Sequence, residues 1–425
     1  MAHIVIKNVG PIKDIELDLN KINVFMGPQS SGKSTIAKII SYCSWYEKNV
    51  ILLSKLQKDF YKELLEFHNL EDNYFNEKSY IEYRSSNCEI IFPGKKIENL
   101  KVNVHLDANN IFKNEKIEYI PAERNFVTIQ GIGKYNETRD NVTGFLYDWF
   151  DAKREWTKEQ QYHLPVESLN DVSYYYDSAN DDDVITLKDG TPIKLRHTSS
   201  GLMSATPLLI TFNHVINVVY TKKRIKSPFE TINLQSRIEK MDANLKTQVQ
   251  SLKDRLDVLQ SRLDKNEPTN YTQKDIDDIQ KDLNKALGID SDYNYSKVII
   301  EELELNLFPE TQHKIMYYML GQLNAAKKDH QLVITTHSPY ILFSLNNCMM
   351  GGLVKNKIPE DKRSEFESFP AWIDPKKVSI YEIHDGTLKC IQDEDGIIED
   401  NYLNQAYKEN SAEYLSLLNY YDDEE

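Results

Sequence analysis

The sequence predicts an α/β fold, because apolar runs typical of buried strands alternate along the chain with helical runs. The run NKINVFM has the pattern of a buried strand, and TIAKIISYCSWY after it has the apolar spacing of an amphipathic helix. KVII and QLVITT are two later runs of the strand type. With 425 residues, 40% of them hydrophobic, the chain can bury a sizeable core as one large domain or as two to three ordinary ones.

Composition excludes several classes of protein. An aromatic content of 11% is that of a folded chain, so disorder is not expected. The formal charge of −15 argues against a protein that coats nucleic acid non-specifically, although it leaves a local basic track open. Cys43, Cys88, Cys348 and Cys390 are widely scattered, which favours reduced, mostly packed thiols over zinc sites or a disulfide framework.

The sequence also bears on localisation. No apolar run approaches the roughly 20 residues of a membrane-spanning helix. The start MAHIVIKNVG lacks the cationic residues and continuous apolar segment of a secretory signal. We therefore expect a cytoplasmic protein with no membrane partner, and a solvated tail at the acidic end YYDDEE.

Further strands are predicted around the first strand–helix unit and at the end of the chain. IVIKNVGPIKDIELDL alternates apolar and polar residues on both sides of a Gly-Pro pair, which indicates a hairpin. EIIFPGKKIENLKVNVHL contains strand-like runs. WIDPKKVSIYEIHDG and CIQDEDGII are predicted to form two strands and a turn that complete the core.

The motif GPQSSGKST, at residues 27–35, lies between the first buried strand and its helix. In this context the two glycines permit tight turns, and the amides of residues 30–34 with the helix amino terminus can cradle phosphate oxygens. Lys33 reaches the β and γ phosphates, and the Ser34 hydroxyl is a ligand for Mg²⁺. The sequence therefore predicts that nucleotide is bound by Gly27, Ser30, Ser31, Gly32, Lys33, Ser34 and Thr35.

A second segment, KLRHTSSGLMSATPLLITF, follows a predicted hairpin at Asp189 and Gly190 and leads into an apolar helical run. By itself, Ser199 or Ser200 could simply cap that helix by accepting amide hydrogen bonds.

Two later strands end in candidate catalytic residues. The strand at residues 298–300 ends in Glu301 and Glu302. One such carboxylate can hold Mg²⁺, and the next can orient or deprotonate an attacking water, although adjacent acids on a surface turn are common. The run QLVITT ends at His337, and a lone histidine is more often structural than catalytic.

The order of these four elements resembles that of ABC-type ATPases, specifically the class that contains the SMC, RecF and OLD-nuclease ATPases. By this resemblance GPQSSGKS is the Walker A loop, TSSGLMS the signature and VIIEE the Walker B strand, with a D-loop in residues 303–312. The resemblance implies an ATPase with ATP and Mg²⁺ as cofactors, with Lys33, Glu302 and His337 in catalysis and Glu301 as a metal ligand. Glu301 replaces the aspartate of many relatives, and Leu303 replaces a frequent proline.

The Q-loop of such ATPases is predicted in YIPAERNFVTIQG. Gln130 is the candidate to contact Mg²⁺ and the attacking water, as the family glutamine does. Arg124 is the more conspicuous polar residue, and the sequence does not separate a salt bridge from a phosphate contact for it.

The resemblance also implies an assembly. In this class the signature of one subunit closes over nucleotide held by the Walker loops of another, so Ser199, Ser200 and Gly201 would complete a neighbour's site. A homodimer or higher homo-oligomer is therefore expected.

Residues 231–287 carry an apolar heptad-like stripe, interrupted by the turn NEPTN. The stripe is formed by Leu234, Ile238, Met241, Leu245, Val249, Leu252, Leu256, Leu259 and Leu263, and continues at Ile276, Ile279, Leu283 and Leu287. We interpret it as a short coiled-coil hairpin for self-association or partner docking, or else a solvent-exposed hairpin without a partner. The basic cluster at its root, residues 222–226, is a solvated charge run or a nucleic-acid contact.

The predicted organisation is an ATPase core with two insertions. The core comprises residues 1–44, 191–226 and 291–425; residues 45–190 form an inserted β-rich and helical lobe that includes the Q-loop region, and residues 227–290 form the hairpin.

The chain shows no constellation for effector chemistry, and it resembles stand-alone ATPases of prokaryotic anti-phage defence systems such as PARIS and Septu. This resemblance implies an ATP-hydrolysing sensor or scaffold that holds or licenses a separate effector, most simply a nuclease, until DNA or a phage protein triggers it. The alternative is a RecF-like or SMC-like DNA-repair ATPase that clamps duplex DNA. A module that binds ATP only structurally is disfavoured, because Lys33, Glu302 and His337 are all present.

Overall fold

The computed structural model describes residues 2–53, 59–105, 112–129, 131–132, 140–169, 171–221, 243–264, 292–418 and 420–421, together with 275, 278–279, 281–283 and 286. Gln130, the basic cluster at residues 222–226 and most of the predicted hairpin lie outside these described residues.

Strands make up two sheets. In chain order they are β1 His3–Val9, β2 Ile12–Asp18, β3 Ile22–Met26, β4 Tyr80–Arg84, β5 Cys88–Pro93, β6 Lys101–Val104, β7 Glu115–Ile120, β8 Tyr162–His163, β9 Ser173–Asp177, β10 Asp182–Thr186, β11 Pro192–Lys194, β12 Tyr295–Ile300, β13 Gln331–Thr336, β14 Val378–His384 and β15 Thr387–Cys390. The large sheet has 11 strands in the order β6-β5-β4-β1-β2-β15-β14-β3-β13-β12-β7. The small sheet has four strands in the order β11-β10-β9-β8.

The large sheet has a parallel half and an antiparallel half. Strands β14, β3, β13, β12 and β7 pair in parallel, each with the next. Strands β2, β1, β4, β5 and β6 pair antiparallel, and β15 joins the two halves. The carboxyl ends of the parallel strands therefore meet at one edge, which is where ligands bind in open α/β sheets.

Helices cover both faces of the sheet. They are α1 Lys33–Leu53, α2 Phe60–His68, α3 Asn141–Lys153, α4 Ser200–Ile216, α5 Ala243–Asp264, α6 Pro309–Ala325, α7 Pro339–Val354 and α8 Tyr402–Leu418. Alternate residues of the central strands point to opposite faces: Val24 and Ile300 join the core with α3, α4, α6 and α7, whereas Phe25 and Ile299 join the core with α1 and α2. This two-sided burial explains why these strands are continuously apolar in sequence.

The α/β prediction is confirmed, as are the amino-terminal hairpin, formed by β1 and β2, and the first of the two strands predicted to complete the core, β14. The second strand, β15, is Thr387–Cys390, so it precedes the predicted run CIQDEDGII and shares only Cys390 with it. Residues 45–190, expected to form an inserted lobe, contribute four strands to the large sheet itself. Three of them extend its antiparallel edge, and β7 pairs with β12. The same segment also contains the end of α1, α2, α3 and three of the four strands of the small sheet, β8, β9 and β10.

The predicted coiled-coil hairpin is not confirmed, because only part of it is described. Helix α5 buries Val249, Leu252, Leu256 and Leu259, and two residues of the second predicted stripe, Ile279 and Leu283, are also buried. The spacing of the buried residues in α5 agrees with the heptad pattern.

One segment, Ser200–Tyr220, is long and apolar enough to span a membrane by composition, with a mean hydropathy of 1.4. This corrects the expectation that no such run exists. Most of the segment is α4, whose residues from Ala205 to Phe212 are buried in the core beside α3 and α6, as expected of a core helix.

Candidate functional site

Three motifs that are distant in sequence meet at the carboxyl edge of the parallel strands. The phosphate loop follows β3, the tandem acids follow β12, and His337 follows β13, which lies between those two strands. The register pairs Met26 with Thr336 and Ile300 with Ile334, so the three strands end at nearly the same level. The sheet alone therefore brings the predicted catalytic residues together.

The phosphate loop has the backbone that the motif predicts. Gly27 has φ +152 and Gly32 has φ +107, and Ser30 is held in the left-handed region at φ 60. A Cβ atom on Gly27 would lie 2.5 Å from the carbonyl oxygen of Ile383 in β14, and one on Gly32 would lie 2.4 Å from Cδ1 of Ile12 in β2. Neighbouring strands thus leave no room for side chains at the two turns, and the loop forms a cradle of backbone groups.

Lys33 begins α1 and its side chain turns back into the loop. Its ammonium group donates hydrogen bonds to the carbonyl oxygens of Gly27 at 2.9 Å and Pro28 at 2.7 Å. Burial lowers the pKa of Lys33 to about 8, while the carboxylates of Glu302 and Glu304 act in the opposite direction. Lys33 is therefore close to both acids and placed to bind a phosphate group at this position.

Glu301 is buried at the end of β12, and its Oε1 atom has no hydrogen-bond partner among the described residues. The Tyr119 hydroxyl of β7 lies beside this carboxylate, and burial, followed by Glu301 itself, raises the tyrosine pKa well above its usual range. A buried carboxylate oxygen with free acceptor capacity fits a Mg²⁺ ligand.

Mg²⁺ is commonly bound through one or two carboxylates plus substrate phosphates rather than by a cage of protein ligands. Among the described residues no cluster of three or more His, Cys, Asp or Glu side chains suited to a metal occurs. Ser34, in the first turn of α1, and Glu301 would hold the ion, which would supply positive charge to neutralise the phosphate oxygens.

Glu302 and His337 approach each other, with 3.9 Å between Oε1 of the glutamate and Nε2 of the histidine. Burial and the nearby Lys33 lower the pKa of His337, whereas Glu304 and Glu302 raise it. Glu302 is only partly buried, so its carboxylate is open to a water molecule at the edge of the sheet. This arrangement suits a carboxylate that orients or deprotonates water beside a histidine that contacts the same region.

Sequence inspection missed one residue of this site, Glu304. Its Oε1 atom accepts a hydrogen bond from the backbone N–H of His337 at 2.5 Å, and Oε2 accepts one from the Thr336 hydroxyl at 2.8 Å. The only available signal was a third acid two positions after the tandem pair.

Arg124 lies at the same edge, in a short 3₁₀ turn, Arg124–Thr128, that follows β7. The side chain is fully buried and donates to the backbone carbonyl oxygens of Glu301, Glu302 and Leu303 at 3.0, 3.1 and 3.2 Å. The described structure thus adds a third arrangement, hydrogen bonds to backbone carbonyls, to the salt bridge and the phosphate contact weighed from sequence.

Comparison with known proteins identifies the family. A family model described as an AAA domain matches residues 3–287, which is more than half of the chain. The chain belongs to the AAA-domain family. This AAA-domain protein is thus a member of a family of P-loop ATPases, in agreement with the geometry of its phosphate loop. No curated protein sequence matches the chain.

Solved structures give distant matches to this AAA-domain protein. The SMC head domain from Thermotoga maritima has 8% identity and a TM-score of 0.37, with 92% of this chain and 98% of that chain covered. The SMC head domain bound to the C-terminal domain of ScpA, derived from Pyrococcus furiosus, has 8% identity and a TM-score of 0.39, with 92% of this chain and 96% of that chain covered. The recombination mediator protein RecF has 11% identity and a TM-score of 0.28, with 92% of this chain and 97% of that chain covered. Scores at this level carry no argument beyond the family match.

The predicted signature of the AAA-domain protein lies at the start of α4. Ser199 is the N-cap, and its hydroxyl accepts a hydrogen bond from the amide of Leu202 at 3.3 Å. Ser199 and Ser200 are exposed, whereas Gly201 packs against the backbone of Asn306. Further along the segment, Ser204 donates to the carbonyl of Leu305 and Met203 accepts a hydrogen bond from the Thr128 hydroxyl, whereas the exposed serines are accessible to another molecule.

A cavity of about 530 Å³ lies away from the phosphate loop of the AAA-domain protein, between the Arg124–Thr128 turn, α3 and the small sheet. The charges that line it are paired internally: Lys153 is 3.3 Å from Asp183, which also accepts a hydrogen bond from the Tyr174 hydroxyl at 2.6 Å. We assign it no ligand, because its buried polar groups already have partners.

Proposed function

We propose that this protein is a Mg²⁺-dependent ATPase that works as a homodimer or higher homo-oligomer and scaffolds a separate effector protein in anti-phage defence. The observation that carries the ATPase part is the convergence of Lys33, Glu302 and His337 at the ends of three adjacent strands. In this arrangement Lys33 and the loop amides bind phosphate. Glu302 orients an attacking water or accepts its proton.

The accessible signature supports an assembly in which sites are composite. Ser199 and Ser200 are exposed at the start of α4; the Ser199 hydroxyl accepts a hydrogen bond from the amide of Leu202, and Gly201 packs against the backbone of Asn306. Large apolar side chains are exposed close to the catalytic edge: Phe308 after the predicted D-loop, and Tyr340 and Phe343 after His337. A second copy of the chain is the partner that would cover them and bring a signature to the nucleotide.

Docking of an effector is supported by α8. This helix has no buried residue, and it exposes Tyr407, Tyr414 and Leu417 to 75%, 62% and 62%. Most helical stability in proteins comes from tertiary packing of an apolar face, and this helix of 17 residues leaves its large apolar side chains exposed. Residues 401–425 contain Lys408 as their only cation among several acids, so a basic and apolar protein surface is the complementary partner, and a second acidic copy is not.

The first experiment measures ATP hydrolysis by the purified protein with and without linear duplex DNA, using Glu302→Gln as the blank. We expect slow turnover that requires Mg²⁺, falls at least about 100-fold in the blank and is indifferent to DNA. Strong stimulation by DNA that weakens steeply with salt would instead favour a RecF-like clamp. Absence of turnover in the wild-type protein under both conditions would contradict the ATPase proposal.

A second experiment tests the scaffold. Tyr407, Tyr414 and Leu417 are replaced together by serine, and co-purification with the products of neighbouring genes is compared with the wild-type protein. We expect loss of the partner with ATP hydrolysis retained, since these exposed side chains are distant in the chain from the site. Retention of the same partner by the variant would exclude α8 as the docking surface, and a wild-type protein that binds no second protein under ATP would contradict the scaffold.

A further inference from the structure

The turn that carries the two acids has an unusual source of hydrogen bonds. Residues 301–303 leave the sheet at the end of β12, so their three carbonyl oxygens have left the β ladder. Arg124 supplies both of its terminal nitrogens to them: Nη1 donates to the carbonyl of Glu301, and Nη2 donates to those of Glu302 and Leu303. One buried guanidinium group thus serves three consecutive carbonyls.

The backbone amides of the same residues are satisfied by the flanking strands. The amide of Glu301 donates to the carbonyl of Ile120, that of Glu302 to the Thr335 hydroxyl, and that of Leu303 to the Thr335 carbonyl. All six backbone polar groups of the turn therefore have partners. Arg124 donates to each of the three carbonyls, and the carbonyl of Glu302 also accepts a hydrogen bond from the amide of Leu305 at 2.9 Å. Buried backbone groups left without partners would each cost about 1–3 kcal/mol.

The conformation held by this network is strained at the catalytic residue. Glu302 has φ 43, in the left-handed region that non-glycine residues rarely adopt. Such a conformation costs on the order of 1 kcal/mol and persists only where surrounding contacts determine it. A relaxed Glu302 would point its carboxylate in another direction, because φ rotates the side chain about the N–Cα bond.

We propose that Arg124 is a positioning residue that fixes Glu302 in its hydrolytic orientation through these backbone contacts, without touching nucleotide. The inference rests on the proposed ATPase function and specifies how its site is controlled. The planar fork of arginine is required, since two nitrogens in fixed geometry reach three carbonyls. A lysine keeps the positive charge near Glu302 and Glu304 but presents a single nitrogen.

The test compares Arg124→Lys and Arg124→Gln with the wild-type protein. Arg363→Lys is the matched control, because Arg363 is also largely buried and donates to a backbone carbonyl, that of Ile358 at 3.2 Å, away from the site. Melting temperature, the dissociation constant of a non-hydrolysable ATP analogue, and turnover per analogue-binding site are measured for each.

We expect Arg124→Lys to lower kcat on the order of 10- to 100-fold, as displacement of a catalytic group by about 1 Å does. The dissociation constant of the analogue should change less than about threefold, since Lys33 and the loop are untouched. In a Glu302→Gln background, Arg124→Lys should cause no further loss, because both changes disable the same group. The control Arg363→Lys should keep wild-type turnover.

Three results would overturn the inference. Wild-type kcat in Arg124→Lys would show that the fork is not needed. Equal losses of turnover and analogue binding, or failure of both Arg124 variants to fold, would make Arg124 a folding residue only. If Arg124→Lys lowers turnover by the same factor in the Glu302→Gln background as in the wild-type protein, Arg124 acts on a group other than Glu302. Failure of the wild-type protein to hydrolyse ATP is a different outcome, because it removes the proposed function itself.

Discussion

Glu304 and His337 are joined by a hydrogen bond of 2.5 Å from the histidine backbone N–H to the glutamate Oε1 atom. The other carboxylate oxygen accepts from the hydroxyl of Thr336. The Glu304 side chain therefore links the loop after β12 to the loop after β13. It positions the histidine through its backbone, and the histidine ring lies beside Glu302.

This contact predicts opposite outcomes for two substitutions of Glu304. Glu304→Ala removes both acceptors and should lower kcat by about 10-fold or more by releasing the His337 loop. Glu304→Gln keeps an acceptor for the His337 amide, while its NH₂ group can donate to the Thr336 hydroxyl, so it should retain most of the turnover. Steady-state kinetics of the two variants provide the measurement. Equal damage by both would show that the charge of Glu304, not its hydrogen bonding, is what the site uses.

Gly27 is predicted to be irreplaceable for steric reasons. Gly27→Ala places a Cβ atom 2.5 Å from a backbone carbonyl oxygen that cannot move aside, and it should abolish ATP binding. Gly190→Ala is the control, because Gly190 also has a positive φ, of +85, but a Cβ there meets nothing within 4 Å. The control should cost about 1 kcal/mol of stability and leave binding intact. Calorimetric titration with ATP compares the affinities of the two variants. Tight ATP binding by Gly27→Ala would show that the close approach at Gly27 is not needed for nucleotide binding.

Lys33 and Glu302 are predicted to separate nucleotide binding from turnover. Lys33→Ala removes the cation that faces the phosphates and should abolish binding. Glu302→Gln should still bind ATP, hydrolyse it at least about 100-fold more slowly, and accumulate as a closed oligomer visible by light scattering. Normal turnover in Glu302→Gln would assign the chemistry to another acid.

A buried histidine outside the site should make stability depend on pH. His330 Nδ1 accepts a hydrogen bond from the amide of Ser296 at 3.0 Å, and burial lowers the pKa of His330 to about 4 from the ordinary value of 6.5. Between pH 6.5 and 4 the unfolded chain binds this proton and the folded chain does not. The stabilisation present above pH 6.5 is therefore lost as the pH falls, by up to about 1.4 kcal/mol per pH unit.

Denaturant titrations across this pH range test the prediction. His330→Asn keeps an acceptor for the Ser296 amide but cannot titrate, so it should flatten this part of the profile. His384→Asn, which replaces an exposed histidine, should not flatten the profile. An unchanged slope in His330→Asn would mean that other groups cause the pH dependence.

The sequence predicted those parts of the molecule that depend on local pattern. The phosphate loop and the strands before Glu301 and His337 are each specified within a short run of residues, so their positions follow from apolar runs and turn chemistry. Their meeting at one edge was predicted only through family resemblance. The Q-loop assignment of Gln130 remains a prediction, since that residue is not described.

Contacts between distant segments could not be predicted. Arg124 donates to carbonyls far along the chain. Every residue has a backbone carbonyl, so the sequence does not indicate which residues accept these hydrogen bonds. Likewise, β4 to β6 extend the antiparallel edge of the large sheet, but a half-exposed edge strand has the same alternation whether it joins one sheet or another. The role of Glu304 was hidden because its partner is a backbone amide, which any residue supplies.

The catalytic strands β3, β13 and β12 are consecutive neighbours in the sheet, although long segments separate β3 from β12 along the chain. Adjacent strands are spaced about 4.8 Å apart by their hydrogen bonds. The spacing of the strands that carry the reactive groups is therefore fixed by main-chain pairing. Evolution can accordingly lengthen, shorten or exchange the parts of those segments that lie away from Arg124, and so change what the protein recognises, while the strand spacing is inherited unaltered.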